Sequence, residues 1–372
     1  MILNTKQQKK LEVVVKVVSN VMDRQTACRI LECSERTLRR YLKDYKERDI
    51  LFVQHKNANK TPHNKTDQNT KEMAIFLIKT KYFDFNVLHL QEKLLEHGLD
   101  IKRETLRKWC HEINMVKRKK RRRSKARVKR QRISRRGVLI QMDGSYHRWF
   151  GNKDTCLIAA VDDATSEILY ARFYKSENTP DCLDFFSRLI SIHGSFTSLY
   201  VDKAGVYGGI KRSGFSQVER ALGELGTHVI YAQSPEAKGR IERLFDTLQD
   251  RLIPELRLNK IKTIKYANDF LKDYIIAHNK KFAVQAHSSV DDFKAPTKDL
   301  YDVFCIKEKR QVNKDQTISY KGDRYLISER FKYSIKNQSI EIREYRDKPF
   351  EAYFGNYKVT LVKIEKLSKF AA

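Results

Sequence analysis

The sequence is short of negative charge, short of cysteine pairs and without any long apolar run. Against 75 Lys and Arg stand 46 Asp and Glu, a formal net charge of +29 over 372 residues. That imbalance points to a polyanionic partner. An anionic membrane surface is the competing explanation, but no apolar stretch is long enough to span a bilayer and none has the form of a signal-peptide core. The opening MILNTKQQKKLEVVVKVV is amphipathic, so the chain is read as cytoplasmic, with no membrane partner. The six cysteines are scattered with no CxxC pair, and no His partner stands at zinc-finger spacing from Cys28 and Cys33. This excludes a zinc-binding N-terminus and favours reduced, buried thiols. Length allows two to four domains, and an apolar content of 41 % is ordinary for globular protein.

Residues 1–56 read as a helix-turn-helix domain. Leu11, Val14, Val15 and Val18 recur at helical spacing. In TACRILECSERTLRRYLKDY a short helix with Ala27, Ile30 and Leu31 inward breaks at Cys33-Ser34. Ser34 is then the N-cap of a second helix with Thr37, Leu38, Tyr41 and Leu42 inward. Arg36, Arg39 and Arg40 lie on that helix as candidate DNA contacts. A polar, turn-rich stretch follows. Residues 67–116 repeat the pattern, with Val87, Leu90, Leu94 and Leu95 on one helix, Gly98 in the turn, and Thr105, Leu106, Trp109 and Ile113 on the next. ERTLRRYL and RETLRKWC resemble each other, and Arg103, Arg107 and Lys108 are the matching candidate contacts. Two tandem modules can grip one long site, because the second binding event is intramolecular.

Residues 117–136, KRKKRRRSKARVKRQRISRR, hold 14 Lys or Arg in 20 positions, among them Lys117, Arg118, Arg121 and Arg122. A basic segment between folded regions reads as a linker that orders along nucleic acid and releases counterions.

From Gly137 the texture changes. VLIQMD is a short strand, CLIAAVDDATSEILYARFY gives two more joined by a turn at Asp163 to Ser166, and NTPDCLDFFSRLISIHG is a helix. SLYVD, SQVERALGELG, HVIYAQ and a long helix after SPEAKG complete residues 137–285. The order βββαβαβα is that of a ribonuclease H-like α/β fold. Residues 300–366 turn to short alternating strands, expected as a small β-barrel-like C-terminal domain. The whole is therefore expected to be multidomain: a tandem helix-turn-helix α-helical N-terminus, an α/β ribonuclease H-like catalytic core and that small β domain.

Three carboxylates stand out. Asp143 and Asp202 each end an apolar strand, the edge where sites form in open α/β sheets. Glu242 opens the helix RIERLF, where the helix dipole favours negative charge. Hard carboxylate oxygens of this kind suit divalent metal ions in phosphoryl transfer. Arg240 and Arg243 flank Glu242 as candidate phosphate contacts, and Asp246 and Gln249 lie on a similar face. Asp162 and Asp163 read as hairpin-turn residues, Asp181 and Asp184 as helix-surface residues, and Glu236 as a weaker loop candidate.

At these residues the chain resembles a known family. QMDGS, LYVDKAGVY and SPEAKGRIERLFDTLQDRL resemble the three motifs of DDE transposases that share the retroviral integrase catalytic core, and the ISNCY group of bacterial insertion sequences in particular. The downstream ANDFLKDYIIAHNKKFAV fits as well. The resemblance implies an acidic triad of Asp143, Asp202 and Glu242 holding two Mg²⁺ ions, with Mn²⁺ as a substitute. It implies recognition of terminal inverted repeats, cleavage of the element ends and joining of 3′-hydroxyls to target DNA. Partners would be double-stranded DNA, both element ends and target, and further copies of the chain, in a bacterial cytoplasm at the nucleoid. Gln249 departs from the pattern: many integrases carry Lys or Arg there, so it is expected only as a DNA contact. Two alternatives stay open: a helix-turn-helix repressor with an inactive core, and a ribonuclease H-like nuclease of RNA–DNA hybrids.

Overall fold

The computed structural model describes residues 3–55, 57, 65–116, 131–151, 153–202, 216–231 and 239–364. Lys117, Arg118, Arg121, Arg122 and Glu236 lie outside them. The chain divides into two compact units, Met1–Met73 and Ala74–Ala372.

The first unit holds α1 (Thr5–Val18), α2 (Arg24–Ile30), α3 (Glu35–Arg48) and a 3-10 turn, Asp49–Val53. Each helix starts on a side-chain cap: Asn4 in a capping box with Gln7, Asp23 from Thr26, and Ser34 from Thr37. Val13, Val17, Ala27 and Leu38 form one buried cluster and Val14 packs with Phe52 and Val53. The inward stripe of α1 differs from the expected one: Val15 and Val18 are 39% and 44% exposed. Consecutive valines at 13 to 15 fit two overlapping helical stripes, and α2 and α3 cover only one of them.

In the second unit α4 (Gln68–Thr80, from Ala74 onward), α5 (Val87–Glu96) and α6 (Arg103–Glu112) close over Ile78, Tyr82, Leu90, Leu94, Leu106 and Trp109. Leu95, expected inward, is 59% exposed. His89, Glu92 and Lys93 of α5 turn instead toward Arg251 and Glu255.

The central sheet contains β1 (Leu139–His147), β2 (Thr155–Asp162), β3 (Ile168–Tyr174), β4 (Ser198–Val201) and β5 (His228–Tyr231), in the order β3-β2-β1-β4-β5. β1, β2 and β3 are antiparallel neighbours, and β1, β4 and β5 are parallel. Helices α7 (Thr179–His193) and α8 (Gln217–Glu224) cover one face over Ile140, Met142, Phe185, Phe186, Leu199 and Val201. Helices α9 (Gly239–Leu258) and α10 (Ile264–Phe282) cover the other over Leu157, Ala159, Phe173, Ile241, Leu244 and Leu248. The element order is the expected βββαβαβα. β2 is buried along its whole length, as a strand covered on both faces must be.

The edge strand β3 is sealed by two asparagines of α10. Asn268 accepts from the Phe173 N–H at 2.7 Å and donates to the Phe173 carbonyl at 3.1 Å. Asn279 does the same for Ile168, at 2.9 Å each way.

The α9 helix also meets α5. Glu92 accepts from Arg251 at 3.0 Å and also pairs with Lys281, while Glu255 accepts from His89 at 2.8 Å and Lys93 at 2.9 Å. Nearby, Arg257 reaches Asp84 at 2.6 Å.

After α11 (Leu300–Val303) the C-terminal strands are β6 (Ile306–Gln311), β7 (Thr317–Tyr320), β8 (Asp323–Ile327), β9 (Ser339–Glu344), β10 (Glu351–Phe354), β11 (Tyr357–Val359) and β12 (Leu361–Ile364). They form two open sheets, β11-β10-β9-β6 and β12-β8-β7, over a shared core of Val312, Ile318, Ile340 and Ile342. The expected barrel does not close among the described residues: no hydrogen-bonded pairing joins the two sheets. Asp184, expected on a helix surface, is largely buried. It accepts from Tyr174 at 2.8 Å and Arg188 at 3.0 Å, and pairs with Arg346 of the C-terminal region at 3.3 Å.

Candidate active site

The site is built on the parallel pairing of β1 and β4. The registered pairs run Leu139 with Ser198, Ile140 with Leu199 and Gln141 with Tyr200. Asp143 and Asp202 each stand two residues beyond the last registered pair, near the C-terminal end of β4, where neighbouring strands lie about 4.8 Å apart. Strand alternation fixes the face of Asp143. Ile140, Met142 and Val201 point into the core under α7 and α8. Asp143, within β1, therefore points to the α9 side, and Asp202 follows the last residue of β4.

Helix α9 runs alongside β1 on that side. The Ile241 N–H donates to the Gln141 side-chain oxygen at 3.3 Å, and Gln249 Nε2 donates to Ser145 Oγ at 3.2 Å. Gln141, Asp143 and Ser145 alternate along the same strand face. Asp143 is thus bracketed by residues that touch the two ends of the helix stretch 241–249. Glu242 and Asp246 are exposed on this stretch, one turn apart. The buried residues Ile241, Leu244, Phe245 and Leu248 hold the opposite face of α9 against the sheet.

The first turn of α9 is anchored by a residue that sequence reasoning had left in a hairpin turn. Asp163 is fully buried and accepts from Arg240 Nε at 2.6 Å, Gln141 Nε2 at 2.9 Å and the Ile133 N–H at 3.1 Å. Arg240, expected as a phosphate contact, has a side chain only 16% exposed and is committed to Asp163. The guanidinium charge is met inside the fold, because a buried cation needs a partner. Asp162 is buried too, and accepts from the Gly137, Ala164 and Thr165 N–H groups at 2.9, 3.0 and 2.9 Å. Burial raises its carboxyl above the usual range against the lowering effect of these bonds. An Asp-Asp pair in a turn gave no sign in the sequence that one member reaches across to a helix 77 positions away.

The remaining candidate contacts stay on the surface. Arg243 is exposed beside Glu242. Arg36, Arg39 and Arg40 are exposed on α3, with Arg39 bonded to Glu35 at 2.6 Å, and Arg103, Arg107 and Lys108 are exposed on α6.

The donor chemistry of Asp143, Asp202 and Glu242 fits a hard divalent cation. Among the described residues, no three His, Cys, Asp or Glu side chains converge closely enough to hold a metal ion. The stretches after Asp202 and before Gly239 lie outside the described residues. No described helix is long and apolar enough to cross a membrane.

No family model matches the chain. Among solved structures it is similar to the simian T-cell lymphotropic virus intasome in complex with PP2A regulatory subunit B56 gamma, at 14% identity and a TM-score of 0.38, covering 73% of this chain and 95% of that one. It is also similar to the HTLV-2 integrase catalytic core domain in complex with magnesium, at 15% identity and a TM-score of 0.31, covering 37% and 83%. Two curated proteins are similar in sequence. "Transposase for insertion sequence IS1202" of Streptococcus pneumoniae is 29% identical over 370 residues, 87% of this chain and 78% of that protein. "Putative transposase y4bF" of Sinorhizobium fredii is 33% identical over 334 residues, 86% of this chain and 72% of that protein. With identity at that level along most of both lengths, the chain belongs to the transposases.

Proposed function

We propose that the chain is a DDE-type DNA transposase, a polynucleotidyl transferase that cleaves element ends and joins them to target DNA. The observation that supports this reading is the parallel β1–β4 register, whose last pair, Gln141 with Tyr200, precedes Asp143 and Asp202 by two residues each, with α9, the helix that carries Glu242, packed along β1. These three carboxylates would hold two divalent ions, Mg²⁺ or Mn²⁺. When bound, such ions activate a water or 3′-hydroxyl oxygen and offset the charge building on the scissile phosphate.

The chain's own residues supply the frame. Asp143 rides on a strand buried on both faces of its neighbourhood, so its position is set before DNA arrives. Asp163, Arg240 and Gln141 fix the first turn of α9 and hence the backbone of Glu242. Arg243 and Gln249, on the same helix as Glu242, would contact DNA phosphates. The exposed cations of α3 and α6 would read terminal inverted repeats, with residues 1–56 and 67–116 as two recognition modules, 117–136 as a phosphate-binding linker, 137–285 as the catalytic core and 300–366 as an accessory β domain. Two element ends must be held together, so the active form would be at least a dimer in the bacterial cytoplasm at the nucleoid.

A strand-transfer assay tests the reading. The substrate is the DNA terminus flanking the gene, with Mg²⁺ or Mn²⁺ and a Glu242→Gln control. Metal-dependent joining that disappears in the control is the expected result. Tight end binding without cleavage, by folded protein with metal present, would instead identify a repressor.

A further inference from the structure

The module built on α5 and α6 and the helix that carries Glu242 lie in one compact unit, Ala74–Ala372. Polar contacts fasten the two along the C-terminal half of α9. Glu92 accepts from both arms of the Arg251 guanidinium, at 3.0 and 3.1 Å, and Glu255 accepts from His89 and Lys93 at 2.8 and 2.9 Å. Asn86 donates to Asp250, and Arg257 donates to both oxygens of Asp84, at 2.6 and 2.7 Å. Leu258 packs on the apolar core of the module. Arg251, Glu255 and Leu258 recur at i, i+4 and i+7, so one stripe of α9 faces the module while Leu248, Leu252 and Leu256 face the sheet.

His89, Arg251 and Glu255 are each 9% exposed or less. Forked, charge-assisted pairs fix orientation as well as distance. They also straddle a weak point of the helix. Pro254 lies inside α9 and cannot donate to the Asp250 carbonyl, one rung of the helical ladder. Asp250 and Arg251 are held before that gap and Glu255 and Arg257 after it, so the module splints α9 where it is freest to bend.

The module is tied within itself as well. Leu90 and Leu94 of α5 pack with Leu106 and Trp109 of α6, and Gln91 donates to the Ile101 carbonyl at 2.9 Å. Arg107 and Lys108 of α6 stay exposed. Packed elements thus join these cations to α9, and α9 carries the placement to Glu242, whose backbone lies about 14 Å along the helix from Arg251. We propose that this seam sets the distance between the DNA sequence read by α6 and the phosphodiester that is cut, with Glu92, Arg251 and Glu255 as positioning residues, an assignment that rests on the transposase reading and on α6 as a DNA contact.

The experiment maps cleavage of a labelled element end at single-nucleotide resolution, with the full chain and Mg²⁺. Native protein, Arg251→Ala, Arg251→Lys, Glu92→Ala and an Arg107→Ala/Lys108→Ala control are compared, each with a thermal melt and an end-binding curve by fluorescence anisotropy. For Arg251→Ala and Glu92→Ala the expected result is end binding within about twofold of native, with the share of product at the native phosphodiester down roughly fivefold and cuts spread over its neighbours. Arg251→Lys recovers part of the precision. If Arg251→Ala does not fold, Asp84→Lys sets a like charge against Arg257 at the exposed rim of the seam and is expected to scatter the cuts in the same way. Native cleavage positions in seam variants that fold and bind, whether product is undiminished or lowered uniformly, overturn the positioning role and leave the transposase reading standing. Unchanged end binding by the α6 control removes α6 as the reader and overturns the positioning role with it. No cleavage by the native chain overturns both the role and the reading.

Discussion

Arg240 and Asp163 show how a single pair sets the position of a helix. The pair is buried and its two members come from β2's turn and α9's first turn. Asp163→Ala removes the partner of a largely buried guanidinium, and the expected cost is about 3–5 kcal/mol, read as a lower urea midpoint. Replacing both residues by leucine is expected to recover a large part of that loss. His278 offers a second residue-scale test. It is 6% exposed on α10, and burial, with a contribution from Arg251, pushes its imidazole down to about 4. The unfolded chain takes up a proton near pH 6.5, so its stabilising contribution is complete above that pH and is lost as pH falls toward about 4. Chemical denaturation at pH 5 and pH 7 should show a smaller difference for His278→Phe than for the native chain. Equal differences would remove His278 from the acid sensitivity. Neither residue advertises itself in sequence. Asp143 and Asp202 stood out because each closes an apolar run, although β1 continues past Asp143 to His147, whereas Asp163 and His278 look like a turn residue and an ordinary helix residue.

At the scale of elements, α9 does three things along its length. It opens with Glu242, it buries Ile241, Leu244, Phe245, Leu248 and Leu252 against the sheet, and it ends in the ion-paired seam with α5. The apolar spacing made the helix plain from the sequence. The seam was not, because Glu92 and Arg251 are far apart along the chain and each reads alone as a solvated charge. Burial would raise the Glu92 carboxyl, yet Arg251 and Lys281 together hold it down at about 2. The seam is therefore intact above the ordinary carboxylate range, near pH 4.3, and loosens as pH falls from there toward 2. Arg251→Ala at neutral pH should reproduce that loosening. The expected outcome is faster amide hydrogen exchange in α5, with the strands of the central sheet still protected. Protection unchanged in α5 would mean that apolar packing alone holds the two together. The C-terminal strands illustrate the opposite limit. Alternation identified them, but whether sheets close depends on pairing between distant edges, which alternation does not encode.

For the whole molecule, charge and sheet edges matter most. With a net charge of +29 over the chain and 14 Lys or Arg in residues 117–136, the proposed DNA binding is expected to weaken steeply with salt. Deleting charge from the 117–136 segment should flatten the log–log slope measured by fluorescence anisotropy; an unaltered slope would remove that segment from the phosphate contacts. Asp143→Asn and Asp202→Asn should each cut strand transfer by about a hundredfold or more while leaving that anisotropy curve in place. The asparagine seal on β3 sets a rule for assembly. With Asn268 and Asn279 answering the Phe173 and Ile168 backbone groups, that border offers little template for an incoming strand. If copies gather as proposed, they would not do so by continuing the central sheet outward through β3, so that side of the molecule is left to meet a neighbour through side chains, by contacts that can be made and released.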